Sequence, residues 1–376
     1  MKKSEAASVN RIILLEGLPG TGKTTNAYRL FEQLVRNEWN VRWLHEVSQP
    51  HPTLFFSESC LTKEEFRLFQ EKYPQVAETL NGIAQVRATT VGIDYLTASR
   101  RLPGQEKAAW YQELLQYDGM AFPLERYEPA ALEKWEAFVN AALRHDTIYI
   151  LDSAIFQHQI FTYLLSGAEY PRLAGFVGRL MHMLKPLRPA LIYLYREHTE
   201  DAIAFLEKQR GVKDLESTWE RDRERPYYRN KQRNITAFYD FLKDYADCAS
   251  RLYDESDCEK IKIEITAQNW SRYEAEMLRF IGIARQDAPT YRAKNGTYAN
   301  AALGASFSIK DGILTDPEGA RRRLSPKSQT EFFIEGLPET LFFFTEDSVR
   351  LCGQQIIPQW SEEGRVYERE RKLNGE

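Results

Sequence analysis

Short apolar runs alternate with long amphipathic stretches over the first three quarters of the chain. The runs are Arg11–Glu16, Val41–His45, Thr147–Leu151, Ala190–Tyr195 and Lys260–Ile265. The first, third and fourth are almost continuously apolar, the pattern of central strands covered on both faces. The fifth alternates with Lys and Glu, which suits a sheet edge. Between them the apolar positions recur with helical period, as in Ala27–Val35, Leu132–Leu143, Gly175–Leu184 and Ile235–Leu252. Strands alternating with helices predict right-handed crossovers and a parallel sheet of five strands with helices on both faces. This α/β domain is expected to span 1–284.

Two stretches depart from that rhythm. Residues 50–145 hold helical blocks at Lys63–Lys72, Gln75–Leu80, Lys107–Gln116 and Pro129–Leu143, separated by Pro- and Gly-bearing breaks. A structureless insert of that length is improbable, so a helical cap beside the sheet is expected there. From Ala288 the texture changes to short aromatic strands, such as Gly304–Ile309, Thr330–Glu335 and Thr340–Thr345. Asp311-Gly312 between alternating apolar positions is a hairpin signal. Residues 290–376 are therefore expected to form a small, separable antiparallel β domain behind a linker near Arg285–Pro289.

Composition narrows the function. With 50 Lys+Arg against 54 Asp+Glu the net charge is −4, so the chain is not dominated by basic charge and non-specific nucleic-acid binding is not expected; a kinase of nucleic-acid ends would have only the arginines of 210–233 to draw on. No run approaches the ~20 apolar residues of a membrane span, and the segment from Met1 lacks the apolar stretch of a secretory leader. Cys60, Cys248, Cys258 and Cys352 have no metal-ligand spacing and suit a reducing compartment. A cytoplasmic protein is expected.

Gly17-Leu18-Pro19-Gly20-Thr21-Gly22-Lys23-Thr24 satisfies G-x-x-x-x-G-K-[ST] in full, between a predicted strand and a predicted helix. That setting is what a phosphate-binding loop requires. Glycines let successive N–H groups point at phosphate oxygens, and the helix N-terminus adds its dipole. Lys23 would reach the β- and γ-phosphates of ATP, and the Thr24 hydroxyl would ligate Mg²⁺. Asp152 closes an apolar strand in the position of the metal carboxylate; a helix N-cap is the other role open to it, and the two are compatible.

The order of these elements resembles the thymidylate kinase and deoxynucleoside kinase superfamily of P-loop phosphotransferases over residues 10–284. The likeness is carried by the loop with Thr25 directly after it and by His45-Glu46-Val47-Ser48-Gln49-Pro50 after the second strand. Arg188–Tyr195, Thr199-Glu200-Asp201-Ala202 and Leu206-Glu207-Lys208-Gln209-Arg210-Gly211 complete it. The resemblance implies a three-layer P-loop NTPase fold, Mg·ATP bound through Gly17–Thr25, and a lid over 207–233 whose first arginine is Arg210. One feature departs from that superfamily. Its third strand commonly ends in an acidic residue followed by arginine, whereas here Ser153 and Ala154 follow Asp152. A thymidylate or deoxynucleoside acceptor is therefore not implied, and a nucleoside- or nucleotide-like compound stays open as one of the acceptors.

Phosphoryl transfer needs positive charge near the γ-phosphate. Arg210, Arg221 and Arg225 are the lid candidates, with Arg221 and Arg225 four apart on one helix face that Pro226 should terminate. A solvated helix laced with ion pairs is the competing reading, because Glu220, Asp222 and Glu224 interleave with them. Glu46 is the candidate base for an acceptor hydroxyl, placed at the end of a strand expected beside the loop strand; a polar strand terminus is its bland alternative. His158 could face the pocket, Gln157 and Tyr163 could contact substrate, and Arg87, Arg100 and Arg101 could clamp an anion. Phe332, Phe333, Phe342, Phe343 and Phe344 read as core and covering residues of the β domain. Adjacent ones point to opposite faces, toward the first domain or a second subunit. Two functions fit: a small-molecule kinase phosphorylating a hydroxyl or phosphate acceptor, and an ATPase or switch whose β domain engages a protein partner.

Overall fold

The structure is a computed structural model that describes residues 10–353, 359–361 and 363–370. Met1–Val9, the segment in which no secretory leader was expected, lies outside the described residues. The chain opens with β1 (Ile12–Gly17) and β2 (Val41–Leu44). The insert contributes β3 (Glu58–Thr62), β4 (Gln85–Val86) and β5 (Thr90–Asp94), and β6 (Ile148–Asp152), β7 (Pro189–Tyr195) and β8 (Glu259–Glu264) follow. Five of these form an all-parallel sheet in the order β2-β6-β1-β7-β8. The predicted edge strand β8 is at an edge. Alternate residues of β1 feed two separate cores: Ile12 and Leu14 face one layer of helices, Ile13 and Leu15 the other. No described helix is long and apolar enough to cross a membrane, and all four cysteines are free.

Several expectations need correcting. β2 is not beside β1, because β6 lies between them. The insert is not all helical: β3, β5 and β4 form an antiparallel sheet. Its strands escaped a hydropathy reading because β3 buries polar Glu58 and Ser59. The helix expected from Pro129 begins at Leu124. The helix carrying Arg221 ends at Asp222, and Arg225 is extended at ψ 153° before Pro226, as the ring of a following proline demands. Arg221 and Arg225 therefore share no helix face. Leu215 and Trp219 of that helix are buried in the main core, so the segment has more apolar anchoring than its charge suggested.

Past the connection at 283–295, the β domain consists of β9 (Gly296–Asn300), β10 (Ala305–Lys310), β11 (Ile313–Thr315), β12 (Arg321–Pro326), β13 (Glu331–Ile334), β14 (Thr340–Phe343), β15 (Ser348–Cys352) and β16 (Val366–Arg369). These close into an antiparallel barrel through β16 and β9, which leaves no sheet edge open. The β10–β11 turn carries positive φ at both Asp311 (52°) and Gly312 (77°), the backbone of a tight hairpin.

The barrel is joined to the sheet domain by more than a linker. Phe333 is fully buried in the core formed by Phe31, Trp43 and Ile150 rather than in the barrel's own. It meets Phe31 edge-on at 5.7 Å, with the Arg36 guanidinium 5.3 Å over its ring. Arg36 also donates to Ser325 at 2.9 Å. The connection itself is tied down, Gln33 exchanging two hydrogen bonds with the Gln286 backbone and Asn37 donating to the Ala284 carbonyl.

Candidate active site

The site forms where β1 and β6 end side by side. Gly17 must be glycine: a Cβ there would run into the Leu194 carbonyl of β7 and the Thr21 hydroxyl. The loop turns back over Thr21, whose hydroxyl and N–H both donate to the Leu18 carbonyl. Gly22, left-handed at φ 80° and ψ 23°, starts the helix Lys23–Arg36 without a side-chain cap. The first-turn N–H groups of that helix consequently have no side-chain acceptor, the arrangement that favours an anion.

Lys23 is buried and folds back over the loop, donating to the Gly17 and Leu18 carbonyls at 3.0 and 2.9 Å. Burial pushes its ammonium below the usual lysine range, opposed by the carboxylates of Asp152, Glu46 and Glu16; Arg210 adds to the downward push. Asp152 is fully buried. One of its oxygens accepts from the Ser153 hydroxyl at 2.9 Å, and the other has no partner. The orphaned oxygen belongs to a carboxylate whose charge acts on Lys23, and it could serve as a ligand for Mg²⁺ held together with phosphate. No group of three or more His, Cys, Asp or Glu side chains suited to a metal occurs among the described residues. Mg²⁺ does not need one, since it usually binds through one or two carboxylates with water and phosphate oxygens.

Glu46 lies in the turn after β2, where Gln157 Nε2 donates to its Oε2 at 3.1 Å. Despite the intervening strand, its charge reaches Lys23. Arg210 ends the helix Thr199–Arg210 and is exposed, with its charge also felt at Lys23. Lys23, Asp152, Glu46 and Arg210 thus share one electrostatic neighbourhood. Arg221 is engaged elsewhere, and Arg225, whose buried Nε has no partner, faces a different cavity. Arg221 makes a two-pronged bond to Asp222 at 3.0 and 2.5 Å, and Arg225 lines a cavity of about 430 Å³ with Phe122, Arg172 and Gly167. Tyr163 is tied to Glu128 at 2.8 Å and Arg87 to Glu58, both structural; Arg101 is exposed.

Glu16 was not singled out by the sequence reading. Fully buried, it accepts from the backbone N–H groups of Ile155 and Gln157 at 2.7 and 3.1 Å. It thereby pins the segment between Asp152 and the Gln157 that holds Glu46. Burial pushes its carboxyl up to about 7, against the backbone hydrogen bonds and Lys23. A lone acid inside an apolar strand was the available signal. Two further groups gave none: Tyr245, whose hydroxyl donates to the Gly17 carbonyl at 3.1 Å, and Arg196, buried 4.1 Å over the Phe205 ring.

No protein-family model matches the chain, and no curated protein matches it either.

Proposed function

We propose that the chain is a P-loop phosphotransferase that moves the γ-phosphate of Mg·ATP to a hydroxyl or phosphate acceptor of a small molecule. The observation that carries this reading is the buried Lys23, enclosed by a glycine loop at an uncapped helix start, beside the unfilled oxygen of Asp152. The resemblance to thymidylate and deoxynucleoside kinases points the same way. Gly17–Thr25 would hold the phosphates, Lys23 exchanging loop carbonyls for phosphate oxygens. Thr24 and Asp152 would hold Mg²⁺, which supplies charge neutralisation at the transferring group. Arg210 would add a second positive charge there on closure. Glu46, oriented by Gln157, would accept the acceptor proton.

Equilibrium binding of ATP and acceptor-dependent ADP release in Lys23→Ala test the proposal. Both should be lost, and undiminished binding and turnover would falsify the assignment. One observation favours the switch as a second reading: the helix that starts at the loop rests on the barrel through Phe31 and Arg36. ATP hydrolysis independent of any acceptor would support it.

A further inference from the structure

The cavity of about 430 Å³ that Arg225 lines lies where the insert meets the segment following the arginine-bearing helix Val212–Asp222. Part of its wall is the start of the helix Leu124–Leu143, where Phe122 and Leu124 are buried. Another part is the turn Ser166–Ala168 after the helix Gln157–Leu165. That helix ends with the Ala168 N–H on the Tyr163 carbonyl at 3.0 Å and the Gly167 N–H on the Leu164 carbonyl at 2.8 Å, the paired bonds of a glycine-terminated helix. Gly167 is left-handed at φ 70°, and a Cβ there would stand 3.2 Å from the Pro226 Cβ. The glycine thus lets Pro226, with Arg225 before it, come down onto the turn. The cavity shares no residue with Gly17–Thr25, Glu46, Asp152 or Arg210. It lies past the far end of the helix whose first residue, Gln157, holds Glu46, ~13 Å away along its 9 residues.

Arg225 is half-buried, its Nε is buried without an acceptor, and it forms no ion pair with a described residue. Its backbone is held, extended before Pro226 and with its N–H on the Asp222 carbonyl at 2.8 Å. The neighbouring arginines are spent, Arg221 on Asp222 and Arg223 on Glu224 at 3.8 Å. So is the other cation of the cavity: Arg172 bonds Glu128 at 2.8 Å and Glu125 at 3.0 Å. A buried guanidinium N–H with nothing to donate to is unfavourable, and an anion in the cavity removes that penalty. The helix that starts at Leu124 has no side-chain cap, so its dipole favours the same sign of charge.

We infer that this cavity binds a small organic carboxylate with an apolar body, held by Arg225 through Nε and one Nη. Its volume falls among small-molecule sites, which run from ~300 to ~1,000 Å³. One free guanidinium matches one carboxylate, whose two oxygens fit the planar fork. A phosphate dianion would bring a second negative charge toward Glu125, with Arg172 already committed. Phe122, Leu124 and Pro226 offer the body of the acid apolar surface to cover. A bound acid would tie the chain at Arg225, just past the arginine-bearing helix, to the insert. Its role is therefore that of an effector of this segment rather than a reactant, and the inference stands apart from the phosphotransferase reading.

The test is calorimetric titration of the full chain with hexanoate, 3-phenylpropionate and an acetylated tripeptide ending in phenylalanine, against hexanol and inorganic phosphate. The tripeptide carries the same chemistry at a chain terminus, so the tightest of the three acids names the source. At least one acid should bind more tightly than hexanol and phosphate. Arg225→Gln should weaken that binding by about tenfold or more, the loss of a charge-assisted pair. Ala121→Trp, which fills the cavity from an exposed position, should abolish it. Melting temperatures should not change; if Ala121→Trp melts earlier, Arg225→Gln decides alone. Binding should slow hydrogen exchange at 121–126 and 223–228, and should persist in Lys23→Ala and under saturating ATP. The inference is overturned if no acid binds more tightly than hexanol, if phosphate binds best, or if Arg225→Gln binds as the wild type does. Displacement of the acid by ATP would place it in the nucleotide site and overturn it as well.

Discussion

Replacing Phe333 by Ala separates a barrel that is merely appended from one that completes the core of the sheet domain. The Phe333 ring is fully buried among Phe31, Trp43 and Ile150, and contributes nothing to the barrel's own cluster, which uses Phe332 instead. Truncating a buried Phe costs ~3–5 kcal/mol. The edge contact with Phe31 at 5.7 Å and 86° accounts for ~0.5–1.5 of that, and the Arg36 guanidinium over the ring for ~0.5–1. The loss falls on the joint between domains, because the barrel keeps its closure and Phe332. Calorimetry should show one cooperative transition in the wild type and two in Phe333→Ala, the sheet domain melting earlier. Phe332→Ala, which removes the edge contact with Phe343 at 5.7 Å, should instead lower the barrel transition. Two transitions already in the wild type, with less than about 1 kcal/mol lost in Phe333→Ala, would refute the reasoning and restore the barrel as an independent module.

Asp152→Asn should cut Mg²⁺-dependent turnover by at least ~100-fold while shifting stability by no more than about 1 kcal/mol, since among the described residues its side chain accepts a hydrogen bond from Ser153 alone; a collapse in melting temperature would make it a structural cap. Arg210→Ala should lose at least ~100-fold in turnover on the arginine-finger scale, whereas Arg221→Ala, whose guanidinium is spent on Asp222, should lose less than about tenfold. Equal losses would contradict the division drawn between them. Glu16 holds its proton to about pH 7 in the folded chain against 4.5 unfolded, so its stabilisation is complete below pH 4.5 and is lost as pH rises through 7. That change is about 3 kcal/mol, read as the difference in unfolding free energy between wild type and Glu16→Gln across pH 4.5–8; a flat difference would remove Glu16 from the account.

Local signals in the sequence determined much of the molecule. The five parallel strands were legible because buried runs such as Ile12–Leu15 and Ala190–Leu194 have no polar alternation. The loop Gly17–Thr24 was legible because a tight turn against β7 restricts residue types over a few consecutive positions, and Asp152 because a carboxylate closes an apolar run. The Asp311-Gly312 hairpin was legible because its backbone favours few residues. Strand order was not, because pairing of β2 with β6 is a choice among distant partners. β3 was hidden because its Glu58 is made buriable by Arg87 and Lys134, 29 and 76 residues away. The role of Glu16 depends on N–H groups 139 and 141 residues on. The division between Arg210 and the arginines after it depends on where a helix stops and what Asp222 holds. The separation of Phe332 from Phe333 into two domains' cores followed from strand alternation only once the barrel was seen against the helix Lys23–Arg36. Local backbone chemistry is written in consecutive residues, whereas burial of charge and the sharing of a core are decided by which distant groups the fold brings into contact.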